Sequence, residues 1–208
     1  MTDLTTNECV SHTITIPTVP PFPDQLERDA KKLQEDYDDA KKRVDDLENQ
    51  VLNGGANGVS PEMLNQIQTS LNEEKIKLDE MTNQITQKKL EAESKKNEAV
   101  QLKKDLEATR NLLLNLMCPP LNIDVLLAQT DAAISQVGQN IDRLTRITDH
   151  LTNLVRKVTK LVGHIGFLLK SIVDLIAAIL DATIGTVYRG IRDGILKIFG
   201  DEKQGPTK

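Results

Sequence analysis

The chain has 208 residues, of which 38% are hydrophobic, 27% are charged and only 2% are aromatic, and its formal net charge is −5. Three Phe, two Tyr and no Trp disfavour a sheet core and the ring-lined pockets that hold most small ligands. Because the remaining composition is typical of long helices, we predict an all-α fold. We expect an elongated antiparallel bundle or coiled coil of three long helices, a short amphipathic C-terminal helix and an extended Pro-rich N-terminal tail.

Residues 1–23 form the predicted tail. Its four prolines forbid a helix and favour an extended or polyproline conformation. Two interpretations stay open, since the tail is either unstructured or lies along a helical groove. The apolar side chains that would occupy the groove are Ile14, Ile16, Val19 and Phe22.

A helical hairpin is predicted over residues 24–118, with its turn at 53–60. The first helix begins at Asp24, and its apolar residues alternate three and four apart, as in a coiled coil. The Asn- and Gly-rich turn ends it. Ser60 as N-cap and Pro61 as first helical residue predict the start of the second helix. Its apolar spacing is interrupted at Glu74, Lys88 and Lys95.

Residues 119–200 hold an apolar heptad repeat that starts at Ile134. Eleven of the twelve a and d residues from there to Ile172 are apolar, which predicts a seam that packs on another helix. The predicted interaction seam is Ile134, Val137, Ile141, Leu144, Leu151, Val155, Val158, Val162 and Ile165. From residue 147 the g position is apolar too, and a stripe of that width needs two partners or a membrane. We expect one long helix, in which Gly163 and Gly166 mark a bend or a close helix contact.

Residues 161–199 combine apolar and basic side chains, which suits an anionic lipid surface or an acidic helix. The predicted membrane-active residues are Phe167, Leu168, Lys170, Ile172, Asp174, Leu175, Ile179, Asp181, Ile184, Ile195 and Phe199. Each charge costs about 2.5–3.5 kcal/mol at mid-membrane, so this is not a dependable lone transmembrane helix. Its three charges, Lys170, Asp174 and Asp181, share one narrow stripe that can face water in an assembled ring. The last segment, 201–208, is predicted to be disordered.

Candidate chemical sites are few. The sequence holds no G-x-S-x-G or H-E-x-x-H motif, and we predict no enzymatic activity, cofactor or metal. His150 and His164 would lie roughly 21 Å apart along a helix, too far to share a metal, and we expect both to be solvated. The extended tail is long enough to bring Cys9 near Cys118, so a disulfide between them is a hypothesis beside two free thiols. Basic residues of the second helix alternate with acidic ones, which argues against nucleic acid.

Two functions stay open from the sequence. The first is a non-enzymatic coiled-coil structural or interaction protein that self-assembles, or binds a helical partner, through the apolar face of residues 134–199. The alternative is a membrane-active helical protein that inserts or docks residues 161–199 when the acidic hairpin releases them. Storing an apolar segment in a helical bundle is similar to the architecture of α-helical pore-forming toxins. No secretory signal opens the sequence, so we expect a cytoplasmic or membrane-associated protein without a small-molecule substrate.

Overall fold

The computed structural model describes residues 14–54, 60–117 and 119–180, together with residues 190, 191 and 194. Over these residues the protein is all-α, as predicted, with no strand. Its three helices are α1 (Asp24–Gly54), α2 (Pro61–Leu114) and α3 (Ile123–Leu180). Most of the expected C-terminal helix and the 201–208 tail lie outside the described residues, as do Cys9, Cys118, Asp181, Ile184, Ile195 and Phe199.

The start of α2 follows the capping chemistry of its sequence. The helix begins at Pro61, and the backbone N–H of Met63 donates to the Ser60 hydroxyl over 3.2 Å. This bond satisfies one of the amides that the first turn leaves without a helical partner. Likewise, α1 begins at Asp24, directly after the proline run. Both predicted starts are therefore confirmed.

The third helix is continuous through its two central glycines. A Cβ atom added at Gly163 or Gly166 would meet nothing within 4 Å. The glycines are therefore not used for a close helix contact by any described part of the chain. The expectation of one long third helix is confirmed.

The chain packs as two compact units, and each helix contributes to both. Unit 1 comprises Met1–Glu27 and Lys88–His150, and unit 2 comprises Arg28–Gln87 and Leu151–Lys208. In unit 1, the described tail residues 14–23 are extended and non-helical. Four of them, Val19, Pro20, Pro21 and Pro23, line a small cavity together with Leu102 of α2 and Val137 of α3. The buried apolar residues of this unit are Leu26, Ala92, Leu106, Leu113, Val137, Leu144 and Ile147.

The core of unit 2 is built from all three helices. The first two helices contribute Ala30, Leu33, Tyr37, Ala40, Val44, Val51, Leu64, Ile67, Leu71, Leu78 and Ile85. The third contributes Leu151, Leu154, Val158, Leu161, Ile165, Leu168, Ile172, Leu175 and Ala178. Spacings of three and four residues bring these side chains onto one face of each helix.

Candidate interaction surfaces

The predicted seam of α3 divides into two columns. Its d residues are buried, namely Val137, Leu144, Leu151, Val158 and Ile165. Its a residues are only half-buried, namely Ile134, Ile141, Val155 and Val162. The g residues from Ile147 to Leu175 are buried as well. The packed face of α3 is therefore centred on d and g, and the a column lies at its margin.

The predicted membrane-active residues have mixed surroundings in unit 2. Leu168, Ile172 and Leu175 are buried, and Phe167 and Ile179 are half-buried. Lys170 and Asp174 are exposed, so this part of α3 has one solvated edge. Near the C-terminus, Ile191 is buried, and a Cβ at Gly194 would approach Phe167 to 2.6 Å.

One edge of α3 in unit 2 is free of charge. We name as the α3 edge the a and e residues Thr152, Val155, Thr159, Val162, Gly166, Leu169, Val173 and Ile176. Each of them is half-buried or exposed, and none is ionisable. The edge extends over roughly 36 Å at 1.5 Å per residue. The Thr159 hydroxyl donates to the Val155 carbonyl over 3.0 Å, so its polar group is already satisfied within the helix.

The opposite side of α3 contacts α1 through two c-position residues. His164 is buried, with its Nε2 atom 3.0 Å from a carboxylate oxygen of Glu48. Lys157 places its ammonium 5.8 Å from the centre of the Tyr37 ring. The expectation of a solvated His164 is therefore wrong, because the packed face extends to the c position in this part of α3. His150 is exposed, as expected.

A second buried polar group joins α1 to α2 in unit 2. Glu74 lies on the buried face of α2. Its Oε2 atom is 2.9 Å from Arg43 Nη2, and its Oε1 atom is 2.9 Å from Lys77 Nζ. Burial by itself raises the pKa of Glu74, but the hydrogen bonds and charges of Arg43 and Lys77 outweigh it. The net effect is a lowered pKa, which keeps this carboxyl ionised within the packed face.

In unit 1, Arg143 of α3 connects the tail to the start of α1. Its guanidinium carbon lies 3.5 Å from the centre of the Phe22 ring. It also donates to the carboxylates of Asp24 and Glu27. One side chain therefore makes a cation–π contact and two ion pairs, which fixes the tail at the point where the helix begins.

The connection between α2 and α3 carries a cluster of exposed apolar side chains in unit 1. We name as the apolar turn the residues Leu112, Leu114, Met117, Leu121 and Val125. Met117 is 97% exposed and Leu121 is 110% exposed, so nothing in the described chain covers them. This cluster was not predicted from the sequence, although a run from Asn111 to Ile123 without Asp, Glu, Lys, Arg or His was a signal for it.

Neither a metal-binding site nor similarity to a known protein indicates what the chain does. Among the described residues, no three His, Cys, Asp or Glu side chains are grouped so as to hold a metal ion. One described helix, α3, is long and apolar enough to cross a membrane. An apolar 18-residue window of this helix is 39% buried, and the core helix of a soluble protein meets the same criterion of length and composition. No protein-family model, curated protein or solved structure matches the chain.

Proposed function

We propose that the chain is a non-enzymatic helical interaction protein that pairs with a second copy of itself, or with another helical protein, along the α3 edge. The observation that supports this most is an uncharged a and e stripe of roughly 36 Å that the chain's own core leaves half open. A partly exposed stripe of that length without a charged side chain, bordered by polar residues, suits packing against a partner helix.

The composition of the α3 edge suits a second helix. Val155 and Val162 occupy a positions, where β-branched side chains favour two-stranded coiled coils. The small residues Thr159 and Gly166 alternate with them at e. Small side chains at these points allow another helix to approach to about 8 Å between axes.

A second copy is the partner that we favour. A stripe with the same repeat along its whole length is complementary to itself under a two-fold rotation, which is the commonest symmetry of soluble oligomers. No charge within the stripe repels an identical one. We therefore propose a homodimer, with another helical protein of similar apolar spacing as the alternative partner.

We further propose that the helices pair as antiparallel coiled coils, and that a short amphipathic helix completes the C-terminus. The three–four spacing of buried residues in α1 supports the first part. The ion pairs Arg43–Glu74 in unit 2 and Arg110–Asp131 in unit 1 each join residues on either side of a turn. Helical conformation at residues 190, 191 and 194 supports the second part.

The test is the mass in solution, measured by sedimentation equilibrium over a range of concentrations. We expect the unmodified chain to form a dimer, and Thr159→Arg/Gly166→Arg to shift it to monomer by placing two charges in the interface. Both positions are exposed, and a Cβ atom at residue 166 would meet nothing within 4 Å, so the fold should be retained.

The matched control is Asn65→Arg/Asn72→Arg, which adds the same two charges seven residues apart on the exposed surface of α2. This variant should dimerise like the unmodified chain. A dimer that Thr159→Arg/Gly166→Arg leaves intact would show that the α3 edge is not the interface. A monomer at every concentration would exclude self-association and leave only another helical protein as the partner of this edge.

A membrane-active protein is the second candidate, favoured by the apolar window of α3. Ile165, Leu168 and Ile172 are buried in unit 2, so this function requires α1 and α2 to release them. Leakage of dye from anionic vesicles tests it. If α3 lines a pore, Asp174→Lys should alter its ion selectivity, because Asp174 lies on the solvated edge. Absence of both leakage and vesicle binding would remove this candidate.

A further inference from the structure

The apolar turn of unit 1 lies apart in sequence from the α3 edge and needs its own explanation. Of the nine large hydrophobic side chains that are exposed in the described part of the chain, five belong to it. Met117 and Leu121 are as exposed as in an extended chain, so they project from the surface. These side chains are therefore accessible to a partner.

Charge around the apolar turn is low and balanced. The nearest basic residue, Arg110, is already paired with Asp131 over 2.6 Å. From Lys103 to Asp131 the sequence has three basic residues (Lys103, Lys104, Arg110) and four acidic ones (Asp105, Glu107, Asp124, Asp131), which gives −1. Such a region does not select a strongly charged partner.

Several backbone and amide groups of the apolar turn are satisfied within the chain. The N–H of Asn115 donates to the carbonyls of Asn111 and Leu112, and the N–H of Ile123 donates to that of Pro120. The side-chain amide of Asn115 donates to the Asn111 carbonyl over 2.7 Å. Prolines at positions 119 and 120 have no N–H to satisfy. These bonds remove part of the cost of moving the turn into an apolar medium.

We propose that the apolar turn docks on the surface of a neutral lipid bilayer, with Met117 and Leu121 inserted about 5–10 Å into the headgroup and acyl boundary. A stable protein interface uses about 20–30 residues a side, far more than the five side chains that project here. The turn also offers few polar groups to fix the register of a protein partner. A fluid bilayer needs neither a large matching surface nor a register.

The absence of native tryptophan makes insertion directly measurable. The Leu121→Trp protein is mixed with phosphatidylcholine vesicles, and the emission of its single indole is recorded. We expect a shift to shorter wavelength, because the side chain moves from water into an apolar medium. The matched control is Ile76→Trp on exposed α2, whose emission should stay unchanged.

Vesicle co-sedimentation then measures affinity. We expect binding to phosphatidylcholine alone, similar binding when phosphatidylserine is added, and a loss of about tenfold or more in Met117→Asp/Leu121→Asp. Ile76→Asp/Leu90→Asp adds the same charge at two other exposed apolar positions and should bind like the unmodified chain.

Three results would overturn the proposal. These are equal binding by the Met117→Asp/Leu121→Asp protein, an unshifted indole in the Leu121→Trp protein, and binding only when phosphatidylserine is present. An oligomer that Met117→Asp/Leu121→Asp dissociates, without vesicle binding, would assign the turn to a protein contact and would equally overturn it. Dimerisation through the α3 edge is tested separately with Thr159→Arg/Gly166→Arg. The dimer proposal and the lipid-binding proposal can therefore be disproved independently of each other.

Discussion

Arg43 of α1 and Glu74 of α2 form an ion pair in unit 2, with 2.9 Å between Arg43 Nη2 and Glu74 Oε2. The Glu74 side chain is only 7% exposed, whereas that of Arg43 is half exposed. Leu71 and Leu78 flank Glu74 on the same buried face, three residues before it and four after it. Glu74 therefore occupies a position at which the apolar spacing of α2 predicts a hydrophobic residue. Its charge is balanced by Arg43 and Lys77, which lie at the edge of the core.

The first prediction concerns the stability of this arrangement. We expect Glu74→Leu to raise the free energy of unfolding by about 1 kcal/mol, because an apolar side chain needs no desolvation of a charge. Arg43→Met should lower it by about 1–2 kcal/mol, since Lys77 alone then neutralises the buried carboxylate. Urea denaturation followed by circular dichroism measures both changes.

The surface pair Lys75–Asp79 provides the control for this first experiment, because both of its side chains are well exposed. Lys75→Met should change stability by less than about 0.5 kcal/mol. If Arg43→Met changes the free energy of unfolding as little as Lys75→Met does, the Arg43–Glu74 pair contributes no more than a surface ion pair.

The second prediction is a pH dependence. The lowered pKa of Glu74 means that the folded chain binds a proton there less readily than the unfolded chain does, whose pKa is about 4.3. The contribution of Glu74 to stability is therefore complete above that pH and is lost as the pH falls through the folded value. Denaturation midpoints between pH 3 and 6 should fall more steeply for the unmodified chain than for Glu74→Leu. Parallel curves would exclude Glu74 as a source of acid sensitivity.

Local sequence signals predicted the helices well. The Ser60–Pro61 capping pattern and the proline run before Asp24 are interactions over a few residues, and both helix starts followed from them. Apolar periodicity likewise predicted the wide packed stripe of α3. It did not predict which column of that stripe is most buried, because a, d and g are all apolar and only the positions of α1 and α2 select among them.

Contacts between distant residues were not predictable in the same way. His164 contacts Glu48, 116 residues away, and nothing near His164 in the sequence marks it as buried. The contacts of Arg143 with Phe22 and Asp24 also join residues that are distant in sequence, so they were not predictable either. The sequence shows the apolar turn as an uncharged run, but it does not show whether these side chains are buried or exposed. The same run would be ordinary core if another helix covered it.

The third prediction concerns the attachment of the tail in unit 1. We expect Arg143→Ala to lower the free energy of unfolding slightly, because it removes the contact with Phe22 and two exposed ion pairs. Proteinase K should then cleave within residues 14–23 faster. Arg146→Ala, an exposed arginine on the same helix, should leave cleavage unchanged.

Arg143→Lys separates the two parts of that attachment. Lysine keeps the positive charge near Asp24 but loses the planar group that stacks on the Phe22 ring. Cleavage should therefore be intermediate between the unmodified chain and Arg143→Ala. Cleavage as slow as in the unmodified chain would assign the attachment to charge alone.

The fourth prediction uses the glycines of α3. Gly163 and Gly166 lie inside a helix, and a Cβ at either would meet nothing within 4 Å. Gly163→Ala should therefore raise the free energy of unfolding by about 1 kcal/mol, the difference in helix propensity between glycine and alanine. Gly166→Ala should give the same gain at concentrations where the chain is monomeric, because the open space at residue 166 is a property of the single chain. Gly194→Ala is the contrasting change, since its Cβ would lie 2.6 Å from the Phe167 ring. We expect that variant to lose about 1 kcal/mol as the ring is displaced. Thermal and urea denaturation compare the stabilities of these three variants. If Gly166→Ala lowers the free energy of unfolding, the α3 edge is more closely packed in solution than the open space around Gly166 indicates.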